Sequence, residues 1–212
     1  MLPSRISGFV LRSLAWLLAL MVPWYYLSPY LGAPVISLAG ESMQFMFRWA
    51  EGVERHGAIG TLVTRLNVLV SQGSQVGMAQ LTPEVDYRSF GYGVVLLWAL
   101  LLASASSARQ LPAKMVIGTA VLIPLQSASL CFYWLRDVAL GSGPDVLQQT
   151  GLRPWATEVI AYGYQFGFLM LTPLAPVLLW LFLERHFVHA LWVEMTLAGV
   201  MERAEMKDAG SS

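Results

Sequence analysis

Long charge-free apolar windows, separated by short polar stretches, predict a chain that threads a bilayer. The clearest window runs 25 residues from Val159 to Leu183. At about 1.5 Å of rise per helical residue it extends about 37 Å, more than the roughly 30 Å hydrocarbon core, so tilt or a kink is expected. Pro173 and Pro176 supply the kink. Each deprives a carbonyl one turn earlier of its donor, which is costly in lipid unless a neighbouring helix or side chain replaces it. This helix is therefore expected inside a bundle. Two further windows, 20 residues between Arg88 and Arg109 and 21 between Lys114 and Arg136, predict an antiparallel pair joined by the Arg109–Lys114 connector. The first window, Ser13 to Gly40, follows Arg5 and Arg12 and has the apolar centre LAWLLALMVPWYYL. Pro-Trp-Tyr-Tyr stands where a cleavable signal would carry small residues, so the segment reads as an uncleaved anchor. Its rings suit headgroup depth, with Pro29 close to the helix end.

The stretch between the first two spans is richer in charge and reads as a small ectodomain. Apolar residues at Val35-Ile36, Leu38-Ala39, Met43, Phe45-Met46 and Trp49-Ala50 predict an amphipathic helix continuing from the first span after Pro34. Thr61–Val70 and Gln75–Thr82 then read as two antiparallel strands joined by a turn at Gln72-Gly73-Ser74, with Val53–His56 as a third strand. A lone hairpin is marginal in water. It is expected to pack on the helix around Ser37 to Ala50. Beyond Leu183, Phe187, Leu191, Met195 and Leu197 recur near helical spacing, predicting an amphipathic helix on the inner leaflet, followed by a frayed end. The fold class is thus mainly α and polytopic: four transmembrane helices, with a helix-plus-β-hairpin ectodomain between spans 1 and 2. The divisions are 1–32 (N-terminus and first span), 33–88 (periplasmic ectodomain), 89–183 (spans 2–4) and 184–212 (cytoplasmic helix and tail).

Composition agrees: 56% of residues are apolar and 12% charged, where a soluble domain carries about 25% charged residues. The net charge is zero, so no basic field exists to recruit nucleic acid. Charge does set direction. The connector carries Arg109 and Lys114 and no acidic residue, which places it on the cytoplasmic side by the positive-inside rule. Counting crossings from there puts the ectodomain outside and both termini inside.

Candidate chemistry is sparse. No phosphate loop, Gly-x-Ser-x-Gly elbow, His-Glu-x-x-His pair or Asp-rich metal motif occurs, and no cofactor is expected. Cys131, the single cysteine, lies five residues before Arg136, a spacing that does not stack the two on one helical face, and it reads as a buried thiol. His186 and His189 lack further ligands and read as polar-face residues. The span cores hold no carboxylate, lysine or histidine, which argues against a secondary transporter. Small residues at Ala103, Ser104, Ala105, Ser106 and Ser107 permit close helix contact, and Gln126, Ser127, Ser129, Gln165 and Thr172 can bond across helices. Gln126 and Gln165 are expected to point inward at similar depths and to meet. With Tyr164 and Arg136 they are the candidate interhelical or partner contacts.

Several segments together resemble the exosortase H-associated membrane proteins, found beside a Gram-negative exosortase. They are Trp24-Tyr25-Tyr26-Leu27-Ser28-Pro29, Tyr87-Arg88-Ser89-Phe90-Gly91-Tyr92-Gly93 leading into Leu96–Ser104, Pro124-Leu125-Gln126, and Gly163-Tyr164-Gln165-Phe166-Gly167 with Pro173-Leu174-Ala175-Pro176. Exosortases are membrane transpeptidases with a cysteine followed by arginine and histidine in later segments. Here Cys131 precedes Arg136, but no later external histidine follows. The resemblance implies a non-enzymatic accessory protein of the inner membrane, with an exosortase-type enzyme and membrane lipid as partners. A cysteine peptidase or transpeptidase using Cys131, or a small transport or assembly component, is the alternative.

Overall fold

The computed structural model describes residues 4–72, 75–104, 109–193 and 196. Among them, three helical stretches are long and apolar enough to cross a membrane: Ile6–Met46, Leu111–Gly141 and Pro154–Leu183. The expected turn residues Gly73 and Ser74, the small residues Ala105, Ser106 and Ser107, and Met195 and Leu197 of the last segment lie outside the described residues.

Helix α1 runs unbroken from Ser4 to Met46, with Pro23, Pro29 and Pro34 inside it. The amphipathic segment continues from the first span as one rod, as expected, but Pro29, expected near the helix end, lies well inside it. The reason is local: Pro29 cannot donate to the Tyr25 carbonyl, and the Ser28 hydroxyl does so at 2.8 Å. Further along, the ectodomain supports the rod, because Arg55 Nη1 donates to the Pro29 carbonyl at 2.9 Å.

The expected hairpin is present in shortened form, Asn67–Gln72 with Gln75–Gln80, and the expected third strand lies within Ala50–His56, but the strands divide differently. β1 (Ala50–His56), β2 (Ile59–Thr64) and β5 (Glu84–Asp86) form an antiparallel sheet in the order β1-β2-β5, while β3 (Asn67–Gln72) and β4 (Gln75–Gln80) pair separately. The run Thr61–Val70 is therefore two strands. It breaks at Arg65-Leu66, where the Thr64 hydroxyl donates to the Leu81 carbonyl at 2.6 Å and accepts from the Leu66 N–H at 3.2 Å. The sheet, not the β3–β4 hairpin, lies on α1. Gly40 of α1 packs on Val53 and Gly60 of β2 packs on Ile36, contacts too close to admit a Cβ without displacement.

A short 3-10 turn, Tyr87–Ser89, leads into the second charge-free window and further turn residues follow it, so helix α2 begins at Gly93 and its described part ends at Ser104. Those 12 residues extend about 18 Å, less than the hydrocarbon core. Helix α3 (Leu111–Arg136) continues through a π-helical turn, Asp137–Gly141. Helix α4 (Pro144–Thr150), which the sequence reading did not include, sits between glycines of positive φ at 143 and 151. The long fourth window forms α5 (Pro154–Gly163), a π-helical stretch Tyr164–Leu171, and α6 (Thr172–Leu183) in one column. Residues 185–193 are helical again.

Sheet and bundle share one core. Val35, Ile36, Ala39 and Met43 of α1 meet Leu62, Val85, Tyr87 and Phe90 on one side and Leu130 and Trp134 of α3 on the other. A second cluster joins α2, α3 and α6 through Val94, Leu97, Leu101, Leu122 and Trp180.

Candidate functional site

Ahead of Pro173 and Pro176, where a kink was expected, the column departs from α-helical geometry in the π-helical stretch Tyr164–Leu171. Wider i→i+5 bonding shifts the register ahead of the prolines. Within it, the Gly167 carbonyl accepts from Ser129 Oγ of α3 at 2.9 Å and from Thr172 Oγ1 at 3.4 Å. A neighbouring helix thus supplies a donor to a carbonyl of the irregular backbone.

This geometry decides where the glutamines go. Gly163 lies against the Phe132 ring and Gly167 against Ser129, so the two glycines, four apart, form the face that meets α3. Gln165 stands between them in sequence and therefore on the far side, where it is exposed. Gln126 does face inward, at 4% exposure, but its Oε1 accepts from the Tyr87 hydroxyl at 3.2 Å. The expected amide pair does not form.

Arg136 and Tyr164 do come together. The guanidinium carbon of Arg136 lies 4.9 Å from the Tyr164 ring centroid and 5.8 Å from that of Tyr133, while Nη1 binds Asp137 Oδ1 at 2.8 Å. Tyr164 in turn stacks on Phe168, with centroids 5.4 Å apart, and Phe168 meets Tyr133 and Phe90. An aromatic cluster with a cation at its edge thus ties α3 to the π-helical stretch.

Cys131 is buried, and its Sγ lies 3.6 Å from the Ala39 carbonyl. One turn earlier, Ser127 Oγ donates to the Val35 carbonyl at 3.0 Å. Both groups fasten α3 to α1. His56 is exposed at the tip of the β1–β2 hairpin and His186 and His189 are exposed, and among the described residues no group of three His, Cys, Asp or Glu could hold a metal.

Other contacts were invisible to the sequence reading. Tyr87, 1% exposed, anchors the 3-10 turn against Gly32, Gly91 and Gln126; burial pushes its phenol well above the usual range, so it remains a neutral donor. Gln149 of α4 accepts from the Asn67 N–H and donates to the Asn67 carbonyl, both at 2.9 Å. Lys114 Nζ binds Glu184 Oε1 at 2.7 Å, with Glu184 buried. The connector's positive charge is therefore partly neutralised. A signal for the Gly163–Gly167 face was present, since small residues four apart favour close helix approach. Nothing local marked the Tyr87, Gln149 or Glu184 pairings.

These features describe a mainly helical membrane protein with three candidate spans, whose buried polar side chains, among the described residues, fasten helices and sheet to one another. The chain belongs to the exosortase H-associated membrane protein family, whose sequence model matches residues 3–187. No curated protein and no solved structure matches it.

Proposed function

We propose that the chain is a non-enzymatic accessory protein of an exosortase system in the inner membrane of a Gram-negative bacterium, holding the enzyme or its sorting-signal-bearing substrates at the bilayer. The carrying observation is family membership together with the state of Cys131. That thiol is buried against α1, and Arg136 is occupied by Asp137 and the tyrosine rings. Cys131 borders a lateral cleft, but Arg136 does not line that cleft, so the thiol lacks beside it the guanidinium activator that the peptidase reading would use. The test is affinity purification from mild detergent with mass spectrometry, beside a Cys131→Ser variant. Recovery of the exosortase, and unaltered processing of its substrates in the variant at equal protein level, are expected. Lost processing would establish the peptidase alternative.

The same reading takes the chain across the membrane four times, with both termini cytoplasmic. Parity supports it. Asn67 before α2 touches Gln149 after α3. If α3 crosses, the chain between β5 and α3 has crossed the other way. The polarity of the two ends follows from Arg109 and Lys114 by the positive-inside rule.

A further inference from the structure

A cleft of about 1040 Å³ opens on the side of the bundle between the C-terminal half of α1, the outer part of α3 and the start of α5. Its floor is Ser127, Ala128 and Cys131, and its rim carries exposed Phe45, Trp155 and Val159. Along α3 the lining extends from Pro124 to Leu135, about 17 Å at 1.5 Å per residue. That is close to half of the roughly 30 Å hydrocarbon core, which suits an acyl chain of one leaflet and is too short for a crossing helix.

Two opposite charges share this lining. Glu41 and Arg153 are both exposed, and neither has an ion-pair partner among the described residues, nor do they pair with each other. Both belong to segments on the sheet side of the bundle, near Trp155, a residue type favoured at the bilayer interface. A ligand matched to them has an apolar chain, an anionic group for the guanidinium and a cationic hydrogen-bond donor for the carboxylate.

We propose that this cleft is a binding site for a phospholipid with a phosphoethanolamine head. One acyl chain lies on Ala128 between α1 and α5. The phosphate pairs with Arg153, for which a guanidinium is well shaped, and the primary ammonium pairs with Glu41. Phosphatidylglycerol offers the phosphate but no ammonium. Phosphatidylcholine offers a cation that cannot donate a hydrogen bond. The site therefore discriminates by head group and not by net charge alone.

Native mass spectrometry of the full chain can test this. The protein is released from detergent containing equal amounts of dioleoyl phosphatidylethanolamine, phosphatidylglycerol and phosphatidylcholine, and the retained lipid is counted. At least fivefold preference for phosphatidylethanolamine is expected. Arg153→Gln should lower its retention at least fivefold, and Glu41→Gln should bring it level with phosphatidylglycerol. Ala128→Trp, which fills the floor, should abolish retention. If that variant fails to fold, the two substitutions at exposed positions decide alone. Equal retention of the three lipids, or unchanged retention in Arg153→Gln, would overturn the proposal. So would a photoreactive residue at Val159 that crosslinks to protein and not to lipid.

Discussion

Tyr87 and Gln126 show how much one buried pair carries at the junction of the 3-10 turn and α3. Tyr87→Phe leaves the Gln126 amide buried with its partner gone, a loss of about 1–2 kcal/mol. Adding Gln126→Leu removes the orphan. Thermal unfolding in detergent is expected to show the double variant less destabilised than the sum of the singles, with a coupling near the roughly 0.6 kcal/mol average for membrane helices. A neighbouring site tests the glycine face. A Cβ at Gly163 would overlap the Phe132 ring, so Gly163→Ala is expected to cost about 1–3 kcal/mol by overpacking. Phe132→Leu in the same chain should recover part of that loss, whereas additive effects would mean that the two residues do not oppose each other.

Among the elements, the apolar windows were legible because lipid demands long uninterrupted hydrophobic runs, and α1, α3 and the α5–α6 column follow them. What local pattern could not convey was where long-range hydrogen bonds intervene. Thr61–Val70 has the composition of one strand, yet Thr64 bonds to Leu81 seventeen residues away and the chain turns. Pro29 has the appearance of a stop, yet the hydroxyl beside it rescues the carbonyl it orphans. Gln165 looked inward because polarity alone was considered, whereas the glycines on either side of it determine the packed face. The joint between α3 and α6 is likewise set by a distant pair, Lys114 with Glu184. Lys114→Met should destabilise by about 3 kcal/mol, because it leaves a buried carboxylate unpaired, while Lys114→Met with Glu184→Leu should be close to neutral. Chemical denaturation in detergent distinguishes these outcomes; equal losses would mean that the pair has no such role.

For the whole molecule, the parity argument predicts sidedness. With Cys131→Ser as background, a cysteine at Glu54 is expected to react with an impermeant thiol reagent in intact spheroplasts, and one at Gln110 only after lysis. Labelling of both before lysis would leave α2 without a crossing. The length of the unbroken α1 limits how the chain can sit in a bilayer. Its 43 residues make a rod about 64 Å long, roughly twice the hydrocarbon thickness. Its most apolar window is little covered by the rest of the protein, while Val35, Ile36, Ala39 and Met43 further along pack between the sheet and α3. Even at a tilt of about 40°, the upper end of the usual range, the rod would rise about 49 Å, so one end of α1 must stand clear of the hydrocarbon core and carry its packed neighbours with it.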